Sequence, residues 1–321
     1  MQSLRKDLFL SFRSAAVLVG TLVGAGYASG REVSQYFGSA GISTVLLSAL
    51  LIALLSMLFM WVGRVATNPD GLLFRFYRLL LVAVSVVSAG AMLSASTALL
   101  GGVFTALLVG VAGVLLCFWR PAFHLLNMVA VPLLVVLVSV VARGNTQPIT
   151  GQFLPLAAIN YAGMNMLLEA ELMRREGRSM SSRAILLSGV WIAVVMAVLL
   201  LLMRSLVGAS THAMPFAALA ASIGLSGVVS AAILSAVLTN TAGAMYLCVE
   251  TLTKPPRGLT ALLALLAALL VGSLPFSWIV AHVYPVLGWL GLAISVGYVV
   301  WGILALFPKE RRRLLFMSKR G

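Results

Sequence analysis

The sequence predicts an all-α integral membrane protein with ten transmembrane helices, and three observations predict it. Hydrophobic residues make up 61% of the 321 positions and charged residues 9%, with a mean hydropathy of +1.09. Apolar runs of the length that crosses a bilayer, about 20 residues, follow one another along nearly the whole chain. The basic residues fall in short clusters between those runs. A soluble domain is about 45–50% apolar and about a quarter charged, and a soluble chain of this composition would carry aggregating apolar patches. The net charge of +14 would suit a nucleic-acid binder if it lay along one polar face. Clustered between apolar runs, it is the positive-inside signal of membrane topology, with anionic lipid as its natural partner. Nucleic acid is excluded as a partner, and the lipid bilayer is required as one.

Taken in order, residues 1–11 form a cytoplasmic N-terminus with no signal-peptide cleavage pattern. The spans then cover roughly 12–37, 41–63, 77–98, 102–119, 122–142, 152–173, 184–207, 224–250, 259–280 and 286–307. Several neighbours abut through short turns, as at Phe37–Gly41 and Leu100–Gly102, while Pro275, Pro285 and Gly288 interrupt the last two spans. With the N-terminus inside, 19 of the 22 Lys and Arg fall on the inner side, leaving Arg31, Arg143 and Arg204 outside. One helix more or fewer would reverse the sign of every later loop and destroy this bias. Both ends are therefore cytoplasmic, the C-terminal one as a basic tail over 308–321.

The outer linker 143–151, RGNTQPITG, divides the spans into two halves of five, 12–142 and 152–307. Because five is odd, any structural repeat between the halves is inverted, a common plan of secondary transporters with the substrate site at the repeat interface. The first helix of each half carries the same anomaly: VGAGYASG from Val23 to Gly30, and INYAGMN from Ile159 to Asn165. Glycine costs about 1 kcal/mol per residue in a helix interior relative to alanine. Two readings stand for each cluster. In one, the helix breaks, and the freed amides and carbonyls line a cavity where they hold a carboxylate or a cation. In the other, small residues four apart, such as Gly20 and Gly24 or Gly26 and Gly30, let helices pack closely. The matched position in both halves favours the break.

The run GTLVGAGYASGREVSQYFGSAG, from Gly20 to Gly41, resembles the signature of the YkvI-like bacterial membrane proteins, with its GAGFASGQE-type core. Tyr27 stands where phenylalanine is usual there, and Arg31 where glutamine is. Those proteins are similar to the amino acid-polyamine-organocation (APC) superfamily, which has the LeuT fold. The resemblance implies a five-plus-five inverted repeat with discontinuous helices one and six, in a bacterial cytoplasmic membrane. Carried over by position, it implies a substrate site on Gly24, Ala25, Gly26, Tyr27, Ala28 and Ser29, facing Asn160, Tyr161, Gly163 and Asn165. Ser94 and Ser96 on span three either complete that pocket or bond their own helix. The resemblance further implies a sodium site on Gly20 and Val23, facing Ser235, Thr239 or Thr241; a role of these hydroxyls in helix contacts stands beside it. Span five lacks the lysine that proton-coupled relatives place near this position, which favours sodium.

Ionisable groups inside a membrane are costly and are functional candidates by default. Asp7, Asp70, Glu176 and Glu310 belong to loops or tails, and Glu171 and Glu250 sit beside Arg174, Arg175 and Lys254 at cytoplasmic helix ends. Glu32, next to Arg31, is placed in the outer vestibule, either in a gating ion pair or as a proton carrier. Glu169, in the inner part of span six, is placed at the inner exit. Cys117 and Cys248 lack the spacing of a metal site or a disulfide framework, and no cofactor is expected beyond a coupling sodium ion. A membrane enzyme of the prenyl- or phosphatidyl-transferase type would need clustered aspartates for Mg²⁺, whereas the aspartates here are Asp7 and Asp70. The expectation is therefore a secondary transporter of a small solute, an amino acid or related zwitterion or amine, coupled to Na⁺ or H⁺. A sensor that binds such a ligand on the same fold without transporting it is the alternative.

Overall fold

Helix α1 (Gln2–Leu22) runs through the first apolar stretch and stops where the glycines begin. The chain turns at Val23–Gly24, makes one helical turn as α2 (Ala25–Ala28), turns again at Ser29–Gly30 and resumes as α3 (Arg31–Phe37). Gly30 makes the second turn with a φ of 78°, in the left-handed region that a β-carbon disfavours. The expected interruption of the first span is present, but as two turns on either side of Ala25–Ala28.

The computed structural model describes residues 2–65, 72–252 and 255–306; Asp70, Lys254 and the tail over 308–321 lie outside them. Downstream of α3 come α4 (Ile42–Val65), α5 (Leu72–Leu100), α6 (Val103–Phe118), α7 (Arg120–Ala142), α8 (Pro155–Gly177) and α9 (Ser182–Val207). A short α10 (Pro215–Ser222) precedes α11 (Ser226–Thr251), α12 (Arg257–Gly272), α13 (Phe276–Trp278), a π-helical turn over Ile279–Val283 and α14 (Tyr284–Ala305). Among the described residues, five stretches are long and apolar enough by themselves to cross a membrane: Ile42–Val65, Tyr77–Leu100, Ser182–Val207, Ser226–Thr251 and Phe276–Ile303. Their outer faces keep leucines exposed at helical spacing, as at Leu46, Leu50 and Leu54 of α4, while Val45, Ala49, Ile52 and Ala53 are buried. An apolar stripe turned outward is what a lipid solvent permits and water does not. The chain is an all-helical, multi-pass membrane protein.

Two expectations about helix boundaries are corrected. The sixth span does not break: α8 is a continuous helix of 23 residues. Its Gly163 lies so close to α14 that a β-carbon there would collide with the Gly288 carbonyl oxygen and stand 3.1 Å from the Leu292 amide. Gly291 has the converse relation to the Gly163 carbonyl. The small residue serves a close helix crossing, and the Asn165 amide donates to the Tyr161 carbonyl one turn back at 2.8 Å. The ninth span ends at Gly272 and the tenth begins at Phe276, so the gap falls at 273–275 and not at 281–285. Pro275 immediately precedes a helix, where its missing N–H costs little. Pro285 is absorbed into α14 directly after the π-helical turn, which widens the helix just ahead of the ring.

Packing arranges these helices around the interrupted first span. α4 lies against α8 and α9, α14 against α8, α5 against α11 and α12, α6 against α11, and α1 against α9. The turn before α4 is tied to the chain entering α8: Gly41 donates to the Gln152 carbonyl at 2.9 Å, Gln152 to the Ser39 carbonyl at 3.1 Å, and Leu154 to the Thr44 hydroxyl at 2.8 Å. At the opposite end, Ser181 caps α9 by accepting from the Ala184 amide at 3.0 Å and donates to Asp7 at 2.9 Å.

Candidate functional site

The interruption of the first span brings two polar side chains against its glycines. At Gly24 the neighbour is Asn240 of α11, whose amide group lies 3.4 Å from where a β-carbon would stand. Asn240 donates to the Ala236 carbonyl at 3.0 Å, which leaves its side-chain oxygen beside the turn. At Gly26 the neighbour is Glu32 of α3, and a β-carbon at Gly26 would collide with that carboxylate. Glu32 therefore turns inward. It is 4% exposed, which corrects its expected place in an outer vestibule beside Arg31. Arg31 points the other way and donates to the carbonyls of Ser210 and His212 at 3.1 and 3.3 Å. Consecutive helical residues project about 100° apart, so one neighbour faces the core and the other the surface.

Tyrosines surround the Glu32 carboxylate. Tyr27, Tyr36, Tyr161 and Tyr284 are all buried around it, and the side chains of Tyr161 and Asn165 lie beside it. Glu32 Oε1 and the hydroxyls of Tyr27 and Tyr161 have no hydrogen-bond partner among the described residues. Tyr36 donates to Asn160 Oδ1 at 3.0 Å, and Asn160 in turn donates to the Pro285 carbonyl at 2.9 Å. The Tyr36 and Phe37 rings meet Tyr161 edge-on at centroid distances of 5.2 and 4.9 Å. These contacts lock α3 onto α8, so that the two elements expected to face each other do so.

The side of this cluster toward α10 is closed. The Phe216 amide of α10 donates to the Ser29 carbonyl at 2.8 Å, and Ser34 both donates to the Ser210 carbonyl at 2.9 Å and accepts from its amide at 2.8 Å. A β-carbon at Gly30 would lie 2.6 Å from Val207, so the turn and the end of α9 are in direct contact. Ser29 spends its hydroxyl on the Gly26 carbonyl at 3.1 Å, and its expected substrate-facing role gives way to bracing the turn.

A cavity lies on the other side. Its volume is about 250 Å³, and it lies between α1, α5, α6, α7, α8 and α11, lined by Thr21, Ser88, Cys117, Glu169 and Asn240 among others, with Arg175 and Glu176 as its charged rim toward the end of α8. Asn240 both lines this cavity and packs against Gly24 at the first turn of the interruption. Glu169 is 6% exposed, and its Oε2 has no partner among the described residues. The charges around the mouth are paired: Arg13 with Glu176 at 3.4 Å, Glu171 with Arg174 at 2.7 Å and Arg175 at 2.9 Å, and Glu250 with Arg257 at 3.2 Å.

Other expected site residues lie elsewhere. Ser94 donates to the Leu274 carbonyl at 2.6 Å and ties α5 to the turn after α12, away from the interruption. Ser96 bonds its own helix at Leu93. Gly163 belongs to the α8–α14 crossing. Gly20 and Val23 are buried at the end of α1, but the residue of α11 that meets the interruption is Asn240. Thr239 and Thr241 project roughly 100° to either side of it, and Thr241 packs its methyl against Gly113 of α6. Ser235 is half-exposed and bonds the Ala231 carbonyl. Ser235 and Thr239, four residues apart, share one face of α11, and the hydroxyls of Thr239 and Thr241 donate to their own helix at Ala236 and Val237. Tyr36, Tyr284, Thr21 and Asn240 enter the site without having been assigned to it from sequence; Tyr36, four residues after Glu32, had a readable helical spacing.

No family model matches the sequence, and no curated protein matches it. Among solved structures, the chain is similar to a crystal structure of the Eremococcus coleocola manganese transporter carrying a histidine-to-alanine mutation, with a TM-score of 0.61 and 15% identity over 94% of this chain and 79% of that one. It is similar to the same extent, at 14% identity, to Mhp1, a nucleobase-cation-symport-1 family transporter, in a closed conformation with bromovinylhydantoin bound. A glutamate-to-glutamine mutant of the manganese transporter gives the same score of 0.61 at 15% identity. These neighbours are LeuT-fold transporters and not enzymes, and at such identities the likeness bears on architecture: the chain has the LeuT fold.

Proposed function

We infer that the chain is a secondary transporter that moves a small solute by alternating access, with the interruption of its first span at the centre of the site. The observation that carries this reading is the asymmetry around that interruption: bonds from α10 and the 208–214 loop close one side, taken as the outer, while a cavity on the other side is lined by Asn240, the side chain that packs against Gly24. A site open to one side at a time is what alternating access requires. The helix pairings fit the ten-span, five-plus-five topology of this reading. α1 opens one half and packs on α9, the second helix of the other; α8 opens that half and packs on α4, the second helix of the first. Such exchange is the pairing an inverted repeat produces.

In this reading the solute is an amino acid or related zwitterion or amine, a Na⁺ or H⁺ gradient drives it, and the chain lies in a bacterial cytoplasmic membrane, with the bias of Lys and Arg supporting both termini inside. The test is uptake by the purified chain in liposomes, screened over amino acids and amines with imposed sodium and proton gradients. Uptake that collapses with one gradient is expected. Ligand binding without flux under any gradient would replace this reading with that of a sensor.

A further inference from the structure

Of the six carboxylates among the described residues, four have ordinary partners: Asp7 accepts from Ser181, Glu171 from Arg174 and Arg175, Glu176 from Arg13, and Glu250 from Arg257. Glu32 and Glu169 differ from these: each keeps a buried carboxyl oxygen with no hydrogen-bond partner among the described residues. An ionised carboxylate held this way costs several kcal/mol unless it is neutralised. The two are connected by one face of α8. Tyr161, Asn165 and Glu169 follow one another four residues apart, a step of about 6 Å along a helix, and share one side of it. Tyr161 and Asn165 approach Glu32, while Glu169 lies in the inner cavity with the Thr21 hydroxyl beside its carboxyl.

We propose that Glu169 is the proton-release site of the inner cavity, supplied from Glu32 along the Tyr161–Asn165–Glu169 face of α8. Glu32 takes up a proton when the outer bonds of α3 to Ser210 and His212 open, and holds it as a neutral acid inside the tyrosine cluster. Each later transfer moves one proton through intervening water. The Glu32 acid becomes a carboxylate as the Glu169 carboxylate becomes an acid, and Glu169 then gives its proton to water in the cavity. The titratable and charged groups facing this route are Tyr27, Tyr36, Tyr161 and Tyr284 around Glu32, and Cys117, Tyr246, Arg175 and Glu176 around the cavity. The charged pair at the mouth is already committed, Arg175 to Glu171 and Glu176 to Arg13. This makes the proton the coupling ion and so rests on the transport reading.

The experiment uses the full chain in liposomes and two readouts. An apolar carbodiimide, which adds to protonated carboxyl groups in apolar sites, should modify Glu169, faster in acid than in alkali, and should spare the ion-paired Glu171; mass spectrometry locates the adduct. Proton entry driven by an imposed membrane potential, followed by a trapped pH dye, should fall at least roughly tenfold in both Glu32→Gln and Glu169→Gln. The Glu169→Asp variant should keep both signals, which separates loss of the acid from loss of the fold. An adduct on Glu171 or Glu176 in place of Glu169 overturns the proposal, as does wild-type proton movement in Glu169→Gln. Carbodiimide modification needs no solute. Failure of solute uptake with Glu169 still labelled would therefore count against the transport reading alone, and uptake with neither signal against this proposal alone.

Discussion

Gly163 and Gly288 meet backbone to backbone where α8 crosses α14, with no room for a β-carbon at either position. A side chain on Gly163 must separate the helices or shift the Gly288 carbonyl, and overpacking of this kind costs about 1–3 kcal/mol. Gly163→Ala is expected to lower the thermal midpoint of the purified protein in detergent. Gly297, on α14 but with open space around it, is the control, and Gly297→Ala should leave the midpoint unchanged or raise it.

Gly26 has a different neighbour and predicts a different outcome. A β-carbon there displaces the Glu32 carboxylate, so Gly26→Ala should impair uptake far more than stability. Uptake in liposomes and the thermal midpoint, measured on one preparation, make the comparison. A variant that loses both in proportion would mean that Gly26 is merely a packing residue.

The outer closure depends on few bonds, and Arg31 supplies two of them, to the Ser210 and His212 carbonyls. Arg31→Ala should let water reach the interruption from outside. A cysteine introduced by Ser29→Cys should then react several times faster with a membrane-impermeant thiol reagent added to the outer side than it does with Arg31 intact. Unchanged reactivity would show that α10 and Ser34 suffice for the seal.

The two native cysteines report on the opposite side. Cys117 lines the inner cavity and Cys248 does not, although both are buried. A small thiol reagent supplied from the cytoplasmic side should modify Cys117 first, as read by mass spectrometry of the peptides. A transported solute that shifts the chain to an outward-open state should protect it.

The inner ion pairs differ in worth because they differ in burial. Glu171 and Arg174 are almost fully buried, whereas Arg13 is exposed and Glu176 partly so. Removing one member of a buried pair strands its partner at a cost of about 3–5 kcal/mol, while an exposed pair contributes about 0–1 kcal/mol. Glu171→Gln should therefore destabilise the protein strongly and Glu176→Gln hardly at all, in denaturation curves recorded side by side.

Much of this molecule is determined by local sequence. The apolar runs and the clusters of Lys and Arg announce a membrane protein because the bilayer imposes one length and one charge bias on every span. The interruption after Leu22 was legible because three glycines within seven residues weaken any helix, whatever packs on it. The pairing of Glu171 with Arg174 and Arg175 was legible because residues three and four apart on a helix are neighbours.

The tertiary structure decided what each ambiguous residue is used for. A glycine can break a helix or admit another one, and Gly163 does the second because Gly288, far along the chain, comes to meet it. Glu32 has the same local sequence whether it faces a vestibule or the core, and it faces the core because Gly26 leaves space there and Tyr36 docks α3 on α8. The azimuth of each helix about its axis is set by its neighbours: that of α5 turned Ser94 to the Leu274 carbonyl, and that of α11 turned Asn240 toward Gly24. Composition and spacing are properties of the chain itself, whereas the direction of a side chain depends on partners that only folding brings within reach.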